Sequence, residues 1–208
     1  MVKKTITYFE KSGVENTEEL IDLVEERLNV GDIKSVVVAS SSGRTGLKFA
    51  RRLAKKTNLV IVSLKPGHKH PGVWEFDPSN LAELEKLGVT VTMQTIVFSG
   101  LERSFSQRFS GISHSEVLAE SLKSLFSPGT KVAVEIAIMA FDGGYIPLGK
   151  TIAVGGTGAK GGGADTAVVV LPAHTNNFFD LRVLEIIAKP LNTDLEIKPL
   201  HHGNETKK

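Results

Sequence analysis

Val36-Val37-Val38-Ala39-Ser40-Ser41-Ser42-Gly43-Arg44-Thr45-Gly46-Leu47 joins an apolar run to a small, hydroxyl-rich turn and then to the start of a helical pattern. A strand, a short turn and a helix, in that order, is how α/β proteins hold a phosphate. Backbone N–H groups at the helix start have no partner within the helix, and the helix dipole favours an anion there. Ser40, Ser41, Ser42 and Thr45 add hydroxyl donors. Gly43 and Gly46 let the backbone come close, and Arg44 can grip phosphate oxygens as a fork. The same residue types also serve as ordinary helix caps. The convergence of so many donors favours phosphate binding over a plain cap.

Working outward, the chain alternates short apolar runs with amphipathic stretches. Residues 5–9 read as a first strand, and Asn16 with Glu19 has the spacing of a capping box for a helix bearing Leu20, Ile21, Val24 and Leu28. After Leu47, a helix buries Leu47, Ala50, Leu53 and Ala54. Residues 59–63 form a further strand, apolar throughout as a buried parallel strand is. The loop 64–76 that follows is long and irregular, the kind that binds or covers ligands. Asp77-Pro78 starts a helix, residues 89–92 a strand, and Ser113-His114-Ser115-Glu116 another helix by its capping box. Residues 95–110 read as irregular and 131–140 as an apolar strand, whose Glu135 needs a partner when buried. The last third changes rhythm: strands 152–154 and 166–171 flank a glycine-dense loop, and 181–188 is a further strand. This pattern predicts a doubly wound α/β fold, with a mostly parallel sheet, helices on both faces and a strand–glycine loop–strand part at the C-terminal end. Residues 1–200 are expected to form one domain and 201–208 a polar tail.

Composition narrows the function. The chain has 208 residues, 41% of them hydrophobic and 23% charged, with a net charge of +2. Such a balance, without a basic stripe, argues against nucleic acid as a partner. The absence of cysteine excludes disulfides, thiolate nucleophiles and cysteine-held metals. No apolar run reaches the length of a membrane span and no secretory pattern opens the chain, so a cytoplasmic protein without a membrane partner is expected. The histidines, with His68 and His70 two apart in a loop, show no metal-ligand spacing. Glu10, Glu135, Asp142 and Asp165 are candidate acids or bases, but nothing in the sequence pairs them.

Two further stretches match nucleotide-binding patterns. Gly144-Tyr145-Ile146-Pro147-Leu148-Gly149-Lys150-Thr151 spells a P-loop, yet Lys150-Thr151 runs into a strand where the motif requires a helix. Gly156-Thr157-Gly158-Ala159-Lys160-Gly161 spells the dinucleotide fingerprint, yet a strand follows it as well. Six glycines among residues 155–163 carry a chain-entropy cost, and a ligand-clasping loop explains them better than a flexible hairpin. In that loop Gly155, Gly156, Gly158 and Gly161 permit close approach, Lys160 can neutralise an anion, and Thr157, Asp165 and Thr166 can bond polar groups.

The run from Val36 to Arg51, with Ser42-Gly43-Arg44-Thr45 at its centre, resembles the strand, SGRT loop and helix of the pyruvate kinase C-terminal α/β domain. In that domain the loop holds a phosphate of a sugar-bisphosphate activator. The order of elements from Asn16 to about Leu171 agrees, and the glycine loop sits where the domain has another effector loop. The whole chain looks like a stand-alone version of this domain, a group associated with bound flavin mononucleotide. The resemblance implies flavin mononucleotide as cofactor, its phosphate on Ser40–Thr45 and its remainder clasped by the glycine loop. The loops after the first and third strands, with Glu10, Gly13 and Asn16, and with Lys65, Pro66 and Gly67, are expected to flank the ring. If the protein is an enzyme, an FMN-dependent oxidoreductase is implied. Pyruvate kinase activity is not expected, because the chain has no room for a catalytic (β/α)8 barrel beside this domain. The other reading is a non-catalytic sensor of a sugar phosphate or related metabolite, and a homo-oligomer is compatible with either.

Overall fold

The computed structural model describes residues 1–158 and 162–192. Seven strands form one sheet: β1 (Thr7–Lys11), β2 (Ser35–Ala39), β3 (Asn58–Leu64), β4 (Thr90–Gln94), β5 (Thr151–Gly155), β6 (Thr166–Leu171) and β7 (Arg182–Asn192). Their spatial order is β1-β7-β6-β5-β2-β3-β4. β2, β3, β4 and β5 run parallel, as do β1 and β7, while β6 is antiparallel to both neighbours. The expected α/β class with a mostly parallel sheet is therefore present, and so is the change of rhythm: β5, the glycine loop and β6 make an antiparallel hairpin.

Helices α1 (Thr17–Leu28), α2 (Arg44–Leu53) and α3 (Pro78–Lys86) cover one face. Leu20, Phe49, Leu53 and Leu84 of these helices pack on Val36, Val38 and Ile61 of the sheet. On the other face lie α4 (Gly100–Phe109), α5 (His114–Leu125) and α6 (Pro128–Asp142). Ile136, Met139 and Ala140 of α6 pack on Val37, Val60 and Val62, and Ala119 of α5 packs on Val134 and Ile138 of α6. α6 is thus sandwiched between sheet and helix, and most of its surface is buried.

That burial explains the largest departure from the sequence reading. Residues 131–140, expected as a strand, are the middle of α6. A helix buried all round loses the 3.6-residue stripe and reads like a buried strand. The capping order was present: Ser127 Oγ accepts the Thr130 N–H at 3.0 Å, and Pro128 occupies the first turn. Residues 95–110, expected to be irregular, contain α4. This helix leaves Leu101, Phe105 and Phe109 exposed, so its apolar spacing did not mark a core-facing stripe. Asn16 does precede α1, but its side chain does not cap; Asn16 Nδ2 donates to the Lys11 carbonyl at 2.7 Å. Asp77 and Ser113 cap α3 and α5 as expected, accepting from Ser79 N and Glu116 N.

β2 sits at the point where the topology switches. From β2 the chain steps to β3 and β4 in one direction, then returns across the opposite face to β5 on the other side of β2. In an open α/β sheet a crevice forms beyond the carboxyl ends of the strands at such a point. Among the described residues, no helix is long and apolar enough to cross a membrane.

Candidate functional site

A cavity of about 450 Å³ lies in this crevice. The ends of β2 and β3 supply Ala39, Val62, Ser63 and Leu64, and the turn into α2 supplies Ser40, Ser41, Ser42, Arg44 and Thr45. Val14 and Thr17 enter from the start of α1, and Lys131, Glu135, Ile136 and Met139 from α6 on the opposite face of the sheet. The starts of α1 and α2 and the N-terminal half of α6 therefore border one cavity, the two shorter helices with their first turns and α6 with its flank.

The turn is built to leave donors open. The Ser40 N–H extends the sheet by donating to the Val62 carbonyl at 3.0 Å. Ser40 Oγ then turns inward and accepts the Gly46 N–H at 3.1 Å. Leu47 makes the first bond of the helix, to the Gly43 carbonyl at 2.8 Å. Among the described residues, the N–H groups of Ser41, Ser42, Gly43, Arg44 and Thr45 between these points have no acceptor. A turn of consecutive unpaired N–H groups at a helix start is an anion cradle. Gly43 makes it possible: its φ of 87° is in the left-handed region, and a Cβ there would stand 2.7 Å from Phe76 and Asn80 side-chain atoms. The Ser42 carbonyl is held from outside by Asn80 Nδ2 and the Asp77 N–H, which fixes the turn from the α3 side.

Arg44 is exposed at the rim, its Nε 3.4 Å from Ser42 Oγ. Lys48 also borders the cavity but is paired with Glu18 at 2.7 Å. On the far wall Lys131 Nζ and Glu135 Oε2 are 2.5 Å apart, and Glu135 Oε1 accepts the Phe98 N–H at 2.9 Å. Glu135 therefore has the partner its burial demands.

Among its described residues, the glycine loop reaches the cavity in part. Gly156 and Gly158 line it, joined by Gly162 and Gly163, which were not among the expected site residues. Several of these glycines are present because backbone passes close by. A Cβ on Gly155 would stand 2.2 Å from the Gly129 carbonyl oxygen of α6, and one on Gly156 would stand 2.2 Å from the Gly163 carbonyl oxygen. One on Gly163 would stand 2.5 Å from Val14 Cα. Thr17 Oγ1 ties the loop to α1 by accepting the Ala164 N–H at 3.0 Å. Thr157, Asp165 and Thr166 face one another: Asp165 accepts from the Thr157 N–H and hydroxyl and from the Thr166 hydroxyl. These three fix the loop and do not line the cavity. Lys160 and Gly161 lie outside the described residues.

Neither flanking loop supplies the residues expected of it. Glu10, Gly13 and Asn16 do not line the cavity, and Val14 and Thr17 stand there in their place. Lys65, Pro66 and Gly67 are likewise absent from the lining. Their loop folds back on itself, with Trp74 stacked on Phe76 at 5.0 Å and donating to Ser63 Oγ at 3.0 Å. Of the four acids considered, only Glu135 reaches the cavity. Asp142 is at the end of α6, where it bonds His174 at 2.8 Å and Thr175. The P-loop-like stretch is also taken up structurally, with Lys150 paired to Asp32 at 2.6 Å. Among the described residues, no three metal-ligating side chains gather.

No protein-family model matches the chain.

Proposed function

We propose that this protein binds a phosphomonoester carrying a flat, largely apolar body, and that flavin mononucleotide is that ligand. The observation that carries the reading is the run of unpaired N–H groups from Ser41 to Thr45, on a turn whose Ser41, Ser42, Arg44 and Thr45 line the cavity. Such a run binds a phosphate group well and an uncharged ligand poorly. Val62, Ile96, Ile136 and Met139 provide an apolar wall beyond it, and about 450 Å³ is within the range of small-molecule sites. The resemblance of the Ser42–Thr45 stretch to the pyruvate kinase C-terminal α/β domain, and the flavin association of its stand-alone relatives, supports the same ligand. Redox turnover would additionally require reduction of the bound flavin by a nicotinamide cofactor.

The test is to identify by mass spectrometry what co-purifies, then to titrate stripped protein with flavin mononucleotide and follow flavin fluorescence. Released or quenched flavin is the expected result. A colourless protein that leaves added flavin unquenched, yet is thermally stabilised by sugar bisphosphates, would overturn the flavin assignment. It would favour a sugar-phosphate sensor, a reading to which Lys131, a cation on the wall opposite the turn, also lends itself.

A further inference from the structure

Lys131 and Glu135 lie one turn apart near the start of α6, and both line the cavity. Their side chains are only 12% and 7% exposed. The carboxylate is held from two sides, by the ammonium at 2.5 Å and by the Phe98 N–H at 2.9 Å. The ammonium also stands 5.7 Å from the centre of the Phe98 ring. An ammonium has three donors. Among the described residues Glu135 is its only acceptor, which leaves donors over for an occupant of the cavity.

As a stabilising device the pair is poor. Removing both charges from water costs about as much as their attraction returns, and an apolar pair of similar volume often serves as well. A lysine in the first turns of a helix also opposes the helix dipole. The arrangement has a clear use if the cation serves the cavity. The Ser41–Thr45 turn enters from one face of the sheet and Lys131 from the other, with Val62 and Met139 also on the lining.

We propose that Lys131 is a second ligand anchor. The cavity selects ligands that carry, besides the phosphate on the turn, a second acceptor or anionic group beyond an apolar or neutral stretch. Glu135 is the positioning residue that keeps the ammonium aimed inward. The inference rests on the phosphate reading of the turn. In flavin mononucleotide the second group is the carbonyl-bearing edge of the ring; in a sugar bisphosphate it is the second phosphate.

The experiment is calorimetric titration of the full chain with inorganic phosphate, flavin mononucleotide and fructose 1,6-bisphosphate, on the wild type, Lys131→Met and Lys131→Arg. Removing a charged donor is expected to lower affinity about tenfold or more for whichever two-group ligand the wild type takes up. Inorganic phosphate affinity should stay unchanged, and Lys131→Arg should restore part of the loss. Lys131→Met leaves Glu135 buried without its cation, so Lys131→Met/Glu135→Leu is measured beside it. This double variant should melt like the wild type and still bind weakly. Wild-type affinity for the two-group ligands in either methionine variant would overturn the inference. So would a wild type that binds phosphate but neither larger ligand. A wild type that binds none of the three overturns the phosphate reading itself, and the second anchor with it.

Discussion

Arg44 is the first residue of α2, and its guanidinium makes no carboxylate contact among the described residues. Replacing it therefore changes little in the unliganded protein. Arg44→Ala is expected to weaken flavin mononucleotide binding by about 1.5–3 kcal/mol while leaving the melting temperature of the stripped protein unchanged. Equal affinity in the fluorescence titration would return the turn to a helix cap. Gly155 behaves in the opposite way. A Cβ there would meet the Gly129 carbonyl oxygen at 2.2 Å and the Ala133 nitrogen at 3.0 Å, both backbone atoms that cannot swing aside. Gly155→Ala should destabilise by about 1–3 kcal/mol in urea unfolding, the usual cost of overpacking; an unshifted midpoint would mean that α6 slides away freely. Gly155 was expected to clasp a ligand, and only the contact with α6 shows that it permits a helix to pack on β5.

Among the elements, α6 and the Arg27 cluster matter most. Ser127→Ala removes the cap of α6, where Ser127 Oγ also bonds Thr130 and Thr166 hydroxyls. A loss of about 0.5–2 kcal/mol is expected in denaturant unfolding. Arg27 of α1, itself buried, grips Asp32 ahead of β2 at 2.7 Å and Glu185 of β7 at 2.8 Å, so one guanidinium ties three parts of the chain. Arg27 first, then Lys150, holds the Asp32 carboxyl well below the usual carboxylate range, and Arg27 likewise lowers Glu185. At the start of α5 the Ser115 hydroxyl and N–H, then the Ser113 hydroxyl, lower Glu102 of α4 to about 2. Carboxylates depressed in the folded state add stability that is complete above their unfolded values and is lost as pH falls through the folded ones. Thermal stability should thus hold from neutral pH to about 4.5 and fall progressively toward about 2. In Arg27→Met the acid-side slope should be shallower, since much of the depression is gone. An identical slope in a melting series would mean that other carboxylates set the acid limit.

For the molecule as a whole, a ligand that binds only the folded state stabilises it by mass action. At a hundred times its dissociation constant, flavin mononucleotide should contribute about 2.7 kcal/mol. For a chain of this size each kcal/mol raises the melting temperature by about 2–4 °C, so a rise of roughly 5–11 °C is expected in a thermal scan. No rise at saturating flavin would argue against the proposed ligand. The same scan with Arg44→Ala should need correspondingly more ligand for the same shift.

How much was legible follows from which forces are local. The apolar run of β2, the turn with its hydroxyls and glycines and the helix period after Leu47 are local patterns, so the α/β class and this strand–turn–helix could be read from the residues alone. Asp77-Pro78 and Ser113 were legible for the same reason, because a cap is made within four residues of itself. The nature of α6 was not, because a helix covered on all sides shows no polar face to set its period. The far wall of the cavity was hidden with it. Lys131 and Glu135 are about ninety residues from Ser41, and only the return of the chain across the opposite face, from β4 to β5, brings them to the same crevice. The sequence by itself determined the fold class and the hydroxyl- and glycine-rich turn into α2. Which other side chains meet that turn was decided by the tertiary structure alone, because strand order and the packing of α6 through Gly129 and Gly155 bring distant segments together.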